Sequence, residues 1–332
     1  MAPRILVFGT GSIGAVYAYI FSRAVGPSNV YTVCRSNYAV ASEQGFTINS
    51  TIFGHNLNVR PRVVRTVADA VCLSQGTPFD YIVISAKAIP TTPSLPELIR
   101  PAVSQHTTIV LIQNGIAIEE IYAVAFPSNP ILSCVVYLPA TQTTPGTIAH
   151  REIELLHIGA YPHTTEASHP SAAAAAAFAS LIQAGGASAQ LHDDIQLERW
   201  SKLLVNASWN PVCALSRSRD AQFLASSSYG LQLIRALMLE IAAIAQASGY
   251  ASISTAKVDY QISRARVRDL PGIEPSMLAD ASAARNMEVD AIVGNAVRIA
   301  EDKGVDVPLL RAVYALVKGL DSSFTREREK EG

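Results

Sequence analysis

Lys202, Asn206 and Asn210 stand four and eight positions apart within Trp200-Ser201-Lys202-Leu203-Leu204-Val205-Asn206-Ala207-Ser208-Trp209-Asn210-Pro211. On an α-helix, at about 100° per residue, they fall within roughly 80° of the circumference and form one polar stripe. The rest of the segment is largely apolar, so these groups could face a protein interior instead of water. An ammonium and two carboxamides in a line could grip a small polar substrate, the ammonium at a carbonyl oxygen and the carboxamides at hydroxyls. Spacing alone fits an ordinary exposed stripe better than it fits a grip. Pro211 is expected to kink or end the helix.

A second chemical signature is Gly9-Thr10-Gly11-Ser12-Ile13-Gly14, directly behind the apolar run Ile5-Leu6-Val7-Phe8 and ahead of a helical pattern from Ala15 to Ala24. A buried strand feeding a glycine-rich turn and then a helix is the dinucleotide-binding fingerprint in its proper context. The first glycine permits the tight turn, the second lets a pyrophosphate approach bare backbone, and the third lets helix pack on strand. The helix N-terminus offers N–H groups and a partial positive charge to the phosphates. A second strand, Val30-Tyr31-Thr32-Val33-Cys34, would end in Asp or Glu if the ribose 2′-hydroxyl of NAD were read there. Arg35 stands in that place, followed by Ser36 and Asn37. A carboxylate would repel a 2′-phosphate, whereas a guanidinium binds it bidentately and stacks on adenine. NADP (as NADPH) is therefore the expected cofactor; the alternative is a solvated surface arginine.

The elements that must position these groups read as two domains. Strand candidates are residues 4–9, 30–35, 81–85, 108–112, 131–137, 154–158 and 189–192, several of them continuous apolar runs of the kind a parallel sheet buries on both faces. Residues 45–64 read as an additional hairpin-like excursion turning at Gly54. After Asp193-Asp194, which could cap a helix, residues 195–319 read as helices broken most clearly at Gly249-Tyr250 and from Pro271-Gly272 to Pro275. The expected fold is an α/β Rossmann-type N-terminal domain (1–193) followed by an all-α C-terminal domain (194–332), with the active cleft between them at the carboxyl ends of the strands.

Bulk properties narrow the partners. The chain has 332 residues and a formal net charge of −1, so no basic field exists to attract nucleic acid or anionic lipid. Its four cysteines, Cys34, Cys72, Cys134 and Cys213, show neither metal-binding spacing nor a secreted disulfide pattern. The first strand begins almost at once, which leaves no room for a targeting peptide, and the alanine-rich stretch 172–187 reads as the helix of a soluble protein. A cytoplasmic location, no membrane association and no metal are expected. Residues 325–331 read as a frayed, solvated tail.

The motifs together resemble the ketopantoate reductases (2-dehydropantoate 2-reductases). The resemblance rests on Gly9-x-Gly11-x-x-Gly14, Arg35, Lys87 in Ser85-Ala86-Lys87-Ala88, and Gln113-Asn114-Gly115. It continues through Lys202-x-x-x-Asn206-x-x-x-Asn210-Pro211, Pro275-Ser276-Met277-Leu278-x-Asp280 and Glu288-x-Asp290, and so covers nearly the whole chain. It implies a helical domain like that of 6-phosphogluconate dehydrogenase and a homodimer formed through the helical half. Lys202 is implied as the general acid that protonates the C2 oxygen as hydride arrives from NADPH, a task suited to a lysine whose pKa is drawn down by partial burial. Asn206 and Asn210 would hold the substrate, Ser276 its carboxylate, and Asn114 both substrate and nicotinamide ribose. Glu288 would contact the cofactor ribose and keep the lysine in place, while Lys87 and Ala140 would join the glycine turn in binding cofactor. Without the family, Ser276 reads equally well as a helix N-cap, Asn114-Gly115 as a turn pair, and Lys87 and Glu288 as surface charges.

One geometric consequence follows. On a single straight helix Ser276 and Glu288 would lie about 18 Å apart, too far for one small substrate, so a break is predicted around Ala284–Asn286. Ser216-Arg217-Ser218-Arg219-Asp220 departs from the small Asn- or Gly-bearing loop common in the family, with Asp220 near the substrate-contacting position. A carboxylate there would repel an anionic keto acid unless an arginine neutralises it. Residues 88–93 are also unusually proline-rich beside Lys87. The expected reaction is NADPH-dependent reduction of 2-dehydropantoate to pantoate, towards pantothenate. The alternatives are the same chemistry on another keto acid or ketone, and a catalytically silent NADP-binding sensor.

Overall fold

A computed structural model of the chain describes residues 2–163 and 170–331. The chain divides into two compact units, Met1–Gln113 with Ile118–Ile195, and Asn114–Ala117 with Gln196–Gly332. The short segment 114–117 therefore belongs with the helices, although both its neighbours in sequence belong to the α/β unit.

The first unit opens as the glycine motif requires: β1 (Ile5–Phe8), α1 (Ser12–Val25), β2 (Val30–Val33) and α2 (Tyr38–Gln44). An excursion follows, β3 (Phe46–Ser50) and β4 (Gly54–Val59), before β5 (Arg62–Val64) and α3 (Val67–Leu73). Then come β6 (Tyr81–Ile84), α4 (Leu95–Ile99), β7 (Thr108–Leu111), α5 (Glu120–Ala125) and β8 (Ile131–Tyr137). A hairpin, β9 (Ala140–Thr144) and β10 (Thr147–His150), precedes β11 (Leu155–Tyr161), α6 (Pro170–Ala184) and β12 (Ala189–Leu191). Eight strands form one sheet in the order β12-β11-β8-β7-β6-β1-β2-β5, and four form a second, β4-β3-β10-β9. In the large sheet only the β8–β11 pair is antiparallel. Ile5, Val7, Val83, Val110, Leu132 and Leu156 are wholly buried and share one core with Val16 and Ile20 of α1 and Phe178 and Ile182 of α6. Strands so covered need no alternation of polar residues.

The second unit is helical: α7 (Gln196–Ser216), α8 (Asp220–Ser226), α9 (Gly230–Ala247), α10 (Thr255–Arg266), α11 (Ser276–Ser282), a π-turn over Asp290–Gly294, α12 (Asn295–Lys303) and α13 (Pro308–Glu331). Helix α7 is its axis, burying Leu203, Leu204, Ala207, Trp209 and Cys213 in a core with Ile234, Met238, Ile241, Val293 and Val317. Of the two outcomes expected at Pro211, the helix does not end there: α7 continues to Ser216. The lost amide donor and ring clash cost about 3 kcal/mol, and the burial of Trp209 and the flanking Val212, Cys213 and Ala214 offsets it. The closing residues are solvated as expected, 325–330 being exposed, but helical instead of frayed: they form the last turns of α13, where Arg328 donates to the Ala284 carbonyl at 2.8 Å. Among the described residues one helix, α9, is long and apolar enough by composition to cross a membrane, and Ile234, Leu237, Met238 and Ile241 on it are wholly buried in the helical core.

Candidate active site

The nucleotide-binding turn is built as its sequence demands. Gly9 has φ +92°, and a Cβ there would collide with the backbone of Ala86. At Gly14 an added Cβ would come within 2.6 Å of Ser85 Oγ, which itself donates to the Gly9 carbonyl at 2.9 Å. Gly11 is different: a Cβ there would meet nothing within 4 Å, and α1 begins with no side chain capping it. Open space beside uncapped helix amides fits a pyrophosphate. Thr10 is pinned by its amide and hydroxyl to the Val33 carbonyl at 3.2 and 3.1 Å, and Asn37 Nδ2 donates to the Thr10 carbonyl at 2.8 Å. Ser12 Oγ accepts the Gln142 amide at 2.9 Å, which brings the strand opened by Ala140 to the turn. Ile13 follows within the first turn of α1. Arg35 is exposed just beyond β2, and Lys87 is exposed three residues beyond β6.

The helical unit holds a separate polar cluster. Lys202, partly buried on α7, donates to Asn114 Oδ1 at 2.9 Å, and Asn114 Nδ2 donates to Glu288 Oε2 at 3.4 Å. One carboxamide therefore bridges an ammonium and a carboxylate. Two turns along α7, Asn210 donates to Ser276 Oγ at 3.3 Å, with the partly buried Asn206 between them on the same stripe. The stripe faces protein at Asn210, which is only 4% exposed.

Segment 114–117 is fixed so that Asn114 can bridge. Gly115 has φ +105°, and a Cβ there would strike the backbone of Ala291. Arg199, one turn before Lys202, donates to the Gly115 carbonyl at 2.9 Å, while Asn295 holds the Ile116 carbonyl at 2.6 Å. Burial lowers the Lys202 pKa to about 8; the Arg199 charge pushes in the same direction and Glu288 opposes it. A lysine so placed holds its proton near neutral pH and releases it readily.

The predicted break in the 276–288 segment is present. Helix α11 stops at Ser282, and Ala284 adopts φ +49°. Asp321 on α13 accepts the Met287 amide at 2.7 Å and Asn286 Nδ2 at 3.4 Å. Arg328 holds both Ala284 and Asn286. The chain is thus turned back before Glu288, and the π-turn that follows is anchored by Asp290, which accepts from Tyr314 at 2.8 Å and Lys318 at 2.6 Å. Such wide turns inside helices recur at functional sites.

Asp220, expected near the substrate, is tied into the fold. It is 2% exposed, its carboxylate pairs with Arg268, and it accepts the Ile273 amide at 2.6 Å. It staples the segment leading into Ser276. The neutralising arginine is Arg268, and neither Arg217 nor Arg219; Arg219 instead pairs with Glu274 at 3.0 Å. Arg199, Asp321 and Arg268 had no signal in the sequence, because a charge at helical spacing reads as a solvated face. Among the described residues no group of three or more His, Cys, Asp or Glu side chains is placed to hold a metal ion.

A glycine turn on a doubly wound sheet defines a nucleotide-binding unit, and the helical unit carries a lysine–asparagine–glutamate cluster. Comparison with known proteins agrees. The family described as Ketopantoate reductase PanE/ApbA matches residues 5–163, and its C-terminal counterpart matches residues 194–321. A 2-dehydropantoate 2-reductase from Nostoc sp. is 27% identical over 95% of this chain and 94% of its own length. The crystal structure of 2-dehydropantoate 2-reductase from Methylococcus capsulatus superposes with a TM-score of 0.82 at 32% identity, covering 97% of both chains. D-mandelate dehydrogenase, solved as a ternary structure with NADH and anilino(oxo)acetate, has the same fold at 19% identity, a TM-score of 0.82 and coverage of 97% and 99%. The chain belongs to the ketopantoate reductase family.

Proposed function

We propose that this protein reduces the C2 ketone of 2-dehydropantoate to the alcohol of pantoate with NADPH. The observation that carries the reading is Lys202, its pKa drawn to about 8 and its ammonium held by a carboxamide that also binds a carboxylate. A bound reduced nicotinamide supplies the hydride. Lys202 gives the C2 oxygen its proton, so no free alkoxide accumulates. Asn114 aims the ammonium, and Glu288 keeps it charged until transfer. Asn206 and Asn210 bind the substrate's hydroxyl and backbone, and Ser276 binds its carboxylate. Gly9 to Gly14 receive the pyrophosphate, with Lys87 and Ala140 beside them and Arg35 reading the 2′-phosphate. The dimer through the helical unit belongs to the same reading.

The Arg217–Asp220 departure is the feature that would favour a different substrate; the pairing of buried Asp220 with Arg268 supports the first reading. The deciding experiment follows NADPH oxidation with 2-dehydropantoate and a panel of related 2-keto acids and ketones. The expected result is a kcat/KM for 2-dehydropantoate at least about ten-fold above the rest, a margin of some 1.4 kcal/mol. Higher efficiency with another ketone would reassign the substrate, and no turnover with any of them would favour the sensor.

Two further outcomes are expected. Protonated Lys202 is the active form in reduction, so kcat/KM should fall as pH rises through about 8. Glu288 raises the lysine's pKa, so Glu288→Gln should move that limb to lower pH. A limb that stays put in the variant would remove Glu288 from the relay. Arg35→Ala should lower the NADPH-over-NADH preference by about 10- to 100-fold, the worth of one or two charge-assisted hydrogen bonds; equal ratios in the two proteins would place the reading of the phosphate elsewhere.

A further inference from the structure

We propose that Arg65, its guanidinium carbon over the ring of Tyr38, is a second arginine for the 2′-phosphate of the cofactor, acting with Arg35. The inference rests on the NADPH reading above and goes beyond it in assigning a residue that the glycine turn and the β2 end do not include.

The geometry is that of two adjacent parallel strands ending together. Val33 of β2 is in register with Val64 of β5, and the Cys34 amide donates to the Val64 carbonyl at 2.9 Å. Arg65 is therefore the first residue beyond β5, beside Cys34 and next to Arg35, the second residue beyond β2. In open α/β sheets, ligands sit outside these carboxyl ends, and the ribose 2′ position is read at the end of β2. The pyrophosphate lies towards β1, so a 2′-phosphate projects the other way, towards the outer strand. That strand is β5, the edge of the sheet.

The side chain is prepared for an anion. Its guanidinium carbon lies 4.1 Å from the centroid of the Tyr38 ring. A guanidinium stacked on an aromatic face is fixed in orientation and keeps its N–H edge outward, the arrangement that binds phosphate bidentately. Among the described residues no hydrogen bond or ion pair occupies that edge, and both Arg65 and Arg35 are exposed. Neighbouring arginines are engaged differently: Arg62 donates to the Ser28 carbonyl at 2.8 Å and Arg60 to the Glu43 carbonyl at 3.3 Å. The nearest acid in sequence, Asp69, is turned into its own helix cap, accepting the Thr66 amide at 3.0 Å. Two cations, no opposing carboxylate at the end of β2 and an aromatic platform are what a dianionic phosphate needs.

The test is equilibrium binding by calorimetry at low ionic strength, where exposed charges are least screened, with 2′,5′-ADP and 5′-AMP as probes. Wild type should prefer 2′,5′-ADP. Arg65→Ala should lower 2′,5′-ADP affinity by about ten-fold or more, the worth of one charge-assisted pair, with 5′-AMP affinity unchanged. Tyr38→Ala should lose part of the preference and Tyr38→Phe, which keeps the ring, should retain it. Arg65→Lys should fall between wild type and alanine, since a point charge lacks the fork. If Arg65→Ala keeps the wild-type preference, or weakens both probes equally, the assignment of Arg65 is overturned while the NADPH reading stands. If wild type itself binds the two probes alike, the NADPH reading fails and takes this inference with it.

Discussion

Lys202→Ala is expected to lower turnover by about 10²–10⁴-fold, the usual worth of a positioned general acid, while the dissociation constant of the nicotinamide cofactor stays nearly unchanged. The asymmetry follows from where the groups reside. The glycine turn, Arg35 and Lys87 belong to the α/β unit, whereas Lys202 belongs to the helical unit with Asn114 and Glu288. Lys202→Arg separates proton donation from charge. A guanidinium would keep the positive charge near Asn114 but cannot release a proton at working pH, so it should be nearly as slow as alanine. If Lys202→Arg were active and Lys202→Ala were not, the lysine would be an electrostatic clamp and not an acid. The same burial has a cost in the fold. The folded pKa is about 8 against 10.5 for an exposed lysine. Between those values the unfolded chain binds more protons, so stability attributable to this residue rises with pH across that window. Lys202→Met should therefore raise the denaturation midpoint at pH 7 by an amount equivalent to roughly 1–3 kcal/mol, although it abolishes turnover. An inactive variant more stable than the parent would mark Lys202 as kept for chemistry.

The parts of this molecule legible in its sequence are those whose signal is local. A buried strand before Gly9, a glycine needed at φ +92° and a helix after it are read from the consecutive residues 5–24. The Lys202–Asn206–Asn210 stripe is legible because helical period alone puts the three on one face, and the break before Glu288 because a straight helix is too long for the site. What escaped depends on contacts distant in sequence. Ala140–Thr144 is short and polar, and the hairpin it opens becomes sheet only because Thr147–His150 pairs in parallel with Phe46–Ser50, a hundred residues earlier. The charged end of α13 is solvated as its composition says, but neither its helical form nor the bond from Arg328 to the Ala284 carbonyl is legible there. Arg199 looks like one more exposed helix charge, yet it is 3% exposed and holds the Gly115 carbonyl. Pairings across tens of residues carry no periodicity, so a single sequence does not announce them.

Asp220 gives the second large effect, in stability and substrate binding instead of chemistry. Asp220→Ala removes the partner of Arg268 and the acceptor of the Ile273 and Ala221 amides in one step. Breaking a buried ion pair from one side costs about 3–5 kcal/mol. Arg268 retains 26% side-chain exposure and can turn to water, so a loss near the lower end is expected, read as the denaturant midpoint of the helical unit. Asp220→Asn keeps an oxygen for the amides and should lose less, about 1–2 kcal/mol. The kinetic consequence follows the covalent chain. Gly272, at φ +83°, lies so close to Asp220 that a Cβ would collide with its carboxylate, and Ile273 exchanges two hydrogen bonds with it. Three residues further on, Ser276 begins α11 and accepts from Asn210. Once this staple is released, Ser276 should lose its fixed position, so KM for the keto acid should rise while the Lys202-controlled pH limb stays where it was. A group that touched substrate directly would instead change KM without moving the denaturation midpoint, and that outcome would return Asp220 to the substrate pocket. The two observables move together only if the carboxylate acts through the backbone it holds.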